Sequence, residues 1–155
     1  MARLNWLYSG RSLASCRSGV GLGLRWIEKE LPGLRFDVML CNPPYLPDLG
    51  FKEILVYQTT GGTFLAREVL SRGLEFADRV FLNLSSICEG VLDTLVPRSG
   101  SLKRIGRVHR IPFRVPIACR VPGYLRRLLK RGLEEAPRGR YRYWHNISTY
   151  ALSRT

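Results

Sequence analysis

Short, mainly apolar runs organise this sequence more than long amphipathic ones do. Residues 36–41, Phe-Asp-Val-Met-Leu-Cys, stand between Gly33 and the turn Asn42-Pro43-Pro44. A run of that length between turn formers predicts a strand buried in a parallel sheet, where both faces are covered. Residues 79–85, Arg-Val-Phe-Leu-Asn-Leu-Ser, predict a second such strand. Between the two, Thr63 stands where it can cap a helix running to Phe76. Leu65, Val69 and Leu70 would face the core along it, and Gly73 weakens it. A shorter helix is predicted over 22–31, ended by Pro32-Gly33. Ile87, Val91, Leu92 and Leu95 recur at helical spacing and stop at Pro97.

The pattern changes beyond residue 100. Residues 102–115 mix Arg and Lys with Ile, Val and Phe and predict an extended strand. Pro122-Gly123 opens a helix predicted from Tyr124 to about Glu135. Residues 141–152, rich in Tyr, Trp and Ile, predict a long final strand that can pair antiparallel with 102–115. Residues 42–50 form a Pro-, Asp- and Gly-rich loop, 51–60 fit no element, and Gly61-Gly62 predicts a hinge or turn. The expected fold class is α/β. It divides into a poorly defined segment, 1–35, and a domain, 36–155, with a basic C-terminal third.

Charge sharpens that division. Residues 1–97 carry 10 basic and 10 acidic side chains, whereas 98–142 carry 14 basic ones against Glu134 and Glu135. A one-sided field of this kind attracts polyanions, so RNA, DNA or a ribosomal surface is the expected partner, with a merely solubilising basic face as the alternative. No window is long and apolar enough for a membrane span. Cysteines stand at 16, 41, 88 and 119 with no C-x-x-C pair, so no metal site is expected. Cys41 and Cys88 read as buried thiols, and a reducing cytoplasm fits best. Residues 1–23, Arg- and Ser-rich, loosely resemble an organelle transit peptide; an unusual start explains the same composition.

The candidate chemistry sits at Asn42-Pro43-Pro44-Tyr45, directly after the first strand. Ligands of open α/β sheets bind at the carboxyl ends of strands. Both prolines lack an N–H and fix φ, so the turn is stiff and presents carbonyl oxygens without competing donors. Asn42 adds a side-chain acceptor, and two acceptors can hold both N–H bonds of an NH₂ group. Tyr45 offers a flat face for a planar amide or base. With an activated sulfonium methyl donor, positioning of the nitrogen supplies much of the rate and no general base is needed. The alternative is a rigid surface loop or a polyproline-type ligand.

Residues 36–47, Phe-Asp-Val-Met-Leu-Cys-Asn-Pro-Pro-Tyr-Leu-Pro, resemble the fourth motif of the HemK/PrmC-type protein-(glutamine-N5) methyltransferases. The N6-adenine methyltransferases of DNA and RNA share its core. Leu46-Pro47 is closer to the glutamine enzymes, and Gly61-Gly62-Thr63 with the following helix is similar to their next segment. The resemblance covers about 31–153. It implies the C-terminal part of a Rossmann-like class I methyltransferase sheet, ending in an antiparallel strand pair. It also implies S-adenosylmethionine as cofactor and Asn42, Pro43, Pro44 and Tyr45 as catalytic residues. A glutamine of a translation-machinery protein is the first acceptor implied, an RNA or DNA base the second. A catalytically silent nucleic-acid-binding remnant is the third reading.

The N-terminal half departs from that family. Gly19-Val20-Gly21-Leu22-Gly23 spells Gly-x-Gly-x-Gly, yet no apolar strand leads into it, and it reads better as a linker than as a cofactor loop. Only four strands are expected where the family sheet has seven. Truncation, a frame error or a partner chain would account for this, leaving an open edge beside Val38. Elsewhere, His145 is expected as a sheet-face residue and His109 as a surface one. Asn83 and Ser86 lie at a strand end, Ser86 as a possible cap. Tyr141, Tyr143, Trp144 and Tyr150 are expected to pack rather than to stack on bases.

Overall fold

The computed structural model describes residues 23–46, 63–92, 100–114 and 116–154. Two compact units divide the chain, Met1–Gly33 and Leu34–Thr155. The first contributes one described helix, α1 (Gly23–Glu30), after which Pro32-Gly33 turns the chain as expected. Of the Gly-x-Gly-x-Gly segment, only Gly23 is among the described residues.

The second unit is a mixed α/β fold on an open, mostly antiparallel five-stranded sheet. Strand β1 (Phe36–Cys41) pairs in parallel with β2 (Ala77–Ser85), and helix α2 (Phe64–Phe76) lies between them in sequence. The sheet continues through β5 (Tyr141–Ser153) to β3 (Ser101–Pro112), while β4 (Glu134–Arg138) also pairs with β5. The expected antiparallel pairing of the two long C-terminal strands is therefore present, with Leu102 opposite Leu152. Trp144 has partners on both edges, Pro112 and Glu134.

Alternation explains the main core. Val80, Leu82 and Leu84 of β2 lie opposite Leu152, Tyr150 and Ser148 of β5, and all six are buried. Helix α2 covers this face with Ala66, Val69, Leu70 and Leu74. Gly73, expected only to weaken the helix, has a packing role. A Cβ there would lie 3.1 Å from Val80 Cγ2, so its absence lets helix and strand approach closely. Arg35 fastens the start of β1 by an ion pair to Asp78 at 2.8 Å and by bonds to the Glu75 and Ala77 carbonyls. Exposed as it is, such a pair contributes well under ~1 kcal/mol.

Four expectations need correction. Strand β1 is not buried: it is a terminal strand of the sheet among the described residues, and Val38 and Leu40 are 39% and 78% exposed. The helix expected to reach Glu135 is α4 (Pro122–Leu129), preceded by a short α3 (Pro116–Arg120). Gly132 (φ 104) turns the chain after it, and Glu134 and Glu135 enter β4. Thr63 occupies the cap position of α2 without a side-chain cap bond. The expected helix after Ile87 is, in its described part, one 3₁₀ turn, Glu89–Val91; the loop 47–50, the unassigned 51–60 and the Gly61-Gly62 hinge lie outside the described residues. Among the described residues, no helix is long and apolar enough to cross a membrane.

Gly132 tests this packing. A Cβ there would meet the Ser86 carbonyl oxygen at 2.8 Å in a left-handed conformation, whereas Gly139 (φ 58) has open space. Gly139→Ala is expected to cost about 1 kcal/mol from backbone strain alone. Gly132→Ala is expected to cost at least about twice that in urea denaturation. Equal losses would show that the Ser86 contact is not tight.

Candidate functional site

The turn Asn42–Tyr45 leaves the carboxyl end of β1, beside the carboxyl end of its parallel neighbour β2. That is the rim at which open α/β sheets bind ligands. Asn42 is exposed, Pro43 buried, and Pro44 and Tyr45 half-buried. Of the four expected site residues, Asn42 alone is exposed, and the other three are at least half-buried.

What lies beneath them holds the corner in place. Leu46 is buried in a second small core with Ile87, Phe113, Tyr124, Leu128 and Leu133, and Tyr45 packs against it. The Cys88 thiol donates to the backbone carbonyl of Tyr45. That carbonyl, expected to be free of donors, is therefore engaged. Burial pushes the Cys88 thiol up to about 12, with the nearby Arg131 charge pulling it partly back, and pushes Cys41 up to about 11. Cys41 is only half-buried, less than its apolar surroundings suggested, and Cys119 is exposed.

His145 is the residue whose position sequence reasoning undervalued. It is a sheet-face histidine, as expected, but wholly buried and in contact with the motif. Its ring lies 4.9 Å from that of Tyr45 at 38°, and 5.8 Å edge-on from Phe113. Nδ1 is 2.6 Å from Ser85 Oγ, which also accepts the Ile87 N–H at 3.3 Å. Nε2 has no hydrogen-bond partner among the described residues. Burial lowers the His145 pKa to about 4, so the ring is neutral at pH 7. Burial also raises that of Tyr45. The signal for this group was Ser85 at one strand end and His145 near the start of another. Only the ladder register, Ser85 opposite Ile147, joins them on one face.

Ser86, Asn83 and Trp144 make contacts within the fold, and His109 lies on its surface. Ser86 caps no helix: its hydroxyl donates to the Gly132 carbonyl at 2.7 Å and accepts the Asn146 N–H at 3.2 Å. Asn83 Oδ1 accepts the Thr149 hydroxyl at 2.7 Å across the ladder. Trp144 donates to the Ala136 carbonyl and meets Tyr141 edge-on. His109 is exposed on β3. Among the described residues, no group of His, Cys, Asp and Glu could hold a metal ion.

Beside the corner opens a cleft of about 440 Å³. Thr63 and Arg67 at the start of α2, Cys88 and Gly90 after β2, and Lys130 and Arg131 after α4 line it. Cys88 is thus shared by the cleft wall and the motif. The chain matches no family model, no curated protein and no solved structure.

The buried neutral imidazole makes stability depend on pH. Unfolded, His145 takes a proton near pH 6.5; folded, only near pH 4. Its neutral form therefore contributes stability that is present above pH 6.5 and lost as pH falls towards 4, on the order of 3 kcal/mol in all. In thermal melts between pH 7 and pH 4.5, His145→Phe is expected to flatten the acid-side fall of the wild-type Tm. Parallel curves for the two proteins would show that His145 does not stay neutral in the fold.

Proposed function

We propose that this chain carries the acceptor half of an S-adenosylmethionine-dependent N-methyltransferase that methylates a planar amide or amine nitrogen. The observation that carries the reading is a diproline corner at the carboxyl end of a parallel strand, with Asn42 outward and Tyr45 braced from below by His145. The antiparallel pair β3–β5 that follows the parallel pair supports it further, because the family resemblance implies such an ending.

The residues suit the acceptor. Asn42 Oδ1 and a proline carbonyl can accept the two N–H bonds of an NH₂ group, turning its lone pair outward. The Tyr45 ring, its inner side against the imidazole, limits how far the planar group can tilt. Cys88 fixes the turn by holding the Tyr45 carbonyl and, as an un-ionised thiol, adds no negative charge there.

The methyl donor does not fit among the described residues. At the end of β2, the Ser85 and Ser86 hydroxyls are engaged with His145, Ile87, Gly132 and Asn146. Glu89, the nearby carboxylate, accepts the Tyr150 hydroxyl at 2.9 Å. The described residues thus offer no acidic, glycine-rich cradle for a nucleoside.

Leu46 bears on the choice of acceptor. The Leu46-Pro47 pair points by resemblance to glutamine, yet Leu46 fills the small core, which explains an apolar residue there for any acceptor. An exocyclic base amine therefore stands beside the glutamine amide as substrate.

The full chain, incubated with tritiated S-adenosylmethionine and a cell lysate, is expected to transfer label to protein or nucleic acid. Asn42→Ala is expected to lower the rate at least 100-fold while changing donor affinity less than about threefold, about 2.7 kcal/mol or more of transition-state binding. An unchanged rate would remove Asn42 from the mechanism. No label, together with no thermal shift at millimolar donor, would leave the silent remnant as the function.

A further inference from the structure

We propose that the cleft between the start of α2, the turn after β2 and the end of α4 binds a phosphate group of a nucleic-acid strand whose base is presented at Asn42–Tyr45. The phosphate site stands on the cleft itself. Its assignment to the methyl acceptor rests on the reading given above.

The cleft collects positive charge. Arg67, Lys130 and Arg131 all line it, and none of the three is ion-paired among the described residues. No carboxylate is among its lining residues. This contrasts with Arg35, Arg72, Arg110 and Arg142, each held by a carboxylate at 2.7–2.8 Å. Three like charges around one concavity repel one another, and that repulsion is relieved when an anion enters. Helix α2 adds to the field. It is 13 residues long, and its first turn lacks a side-chain cap, leaving N–H groups at the positive end of its dipole.

Size and position choose the ligand. About 440 Å³ is the room of a small-molecule site and far more than one carboxylate fills. A phosphate offers several acceptor oxygens to a guanidinium fork and an ammonium at once. The shared wall matters most. Cys88 lines the cleft and bonds the Tyr45 carbonyl, so a phosphate seated there is one residue away from the proposed acceptor corner. A strand can therefore lay its backbone in the cleft while an unstacked base reaches Tyr45.

The test is binding of a fluorescent 12-nucleotide single-stranded RNA to the full chain, without methyl donor. Because the whole protein is basic, the control is charge-matched. Arg67→Gln/Lys130→Gln/Arg131→Gln is compared with Lys103→Gln/Arg104→Gln/Arg107→Gln on the exposed strand β3. The cleft variant is expected to lose at least tenfold in affinity. Its salt dependence should be shallower by roughly 0.7, the value for one phosphate contact on a single strand. The β3 variant should lose less than threefold. Equal losses in the two variants, or none in the cleft variant, overturn the proposal. Arg67→Lys/Lys130→Arg/Arg131→Lys should keep binding within threefold, and a loss as large as that of the Gln variant overturns the role of charge.

Competition separates the sources of the anion. Adenosine 5′-monophosphate and inorganic phosphate should displace the RNA where adenosine does not, and displacement by an acidic hexapeptide alone overturns a phosphate site. A chain that binds RNA through the cleft but transfers no methyl group sinks the methyltransferase reading and leaves the site standing. Transfer to protein alone, undiminished in the cleft variant, sinks the substrate assignment.

Discussion

Strand β5 is the constraint on which the rest of the domain depends. It is hydrogen-bonded along both edges, to β2 and β4 on one side and β3 on the other. Each backbone group in such a ladder is satisfied without water, so neighbouring elements can pack dry against it. Its two faces then divide the labour. Ser148, Tyr150 and Leu152 complete the core under α2, and His145 on the other face carries Tyr45. Without the β2–β5 register, Ser85 and His145 would not meet, and the floor under the diproline corner would be missing.

The corner shows how a rigid surface feature is built from buried parts. Proline fixes backbone angles, but it does not hold a turn at a given place on a fold. That is done by Leu46 in the small core, the Cys88 thiol on the Tyr45 carbonyl and the imidazole under the ring. All three anchors are uncharged at neutral pH. Among the described residues the charged side chains that line the neighbouring cleft are all cations, and the nearest carboxylate after β2, Glu89, is engaged by the Tyr150 hydroxyl.

Much of this was legible in the sequence. Strand β1, helix α2 and the β3–β5 pair follow from apolar runs, turn formers and β-branched or aromatic enrichment. An open edge beside Val38 was expected, but the exposure of Val38 and Leu40 was not, since the apolar run predicted cover on both faces of the strand. Position was not legible either. The turn at Gly132 depends on a close approach to Ser86, 46 residues away, and no local pattern records it. Likewise His145 and Tyr45 are a hundred positions apart in the chain, and only strand register makes them neighbours. The cleft is assembled from three segments whose cations look, in sequence, like ordinary solvated charges.

The hub strand is also the last of the described strands in chain order. During synthesis from the N-terminus, β2 and β3 therefore emerge before the partner that both require. Until then, Val80, Leu82 and Leu84 are covered by α2 on one side only and have no ladder along the inner edge. High separation between paired segments slows closure, and unsatisfied strand edges invite wrong association in the interval. Until residues 141–153 are available, the nascent chain therefore carries open strand edges and an incomplete core.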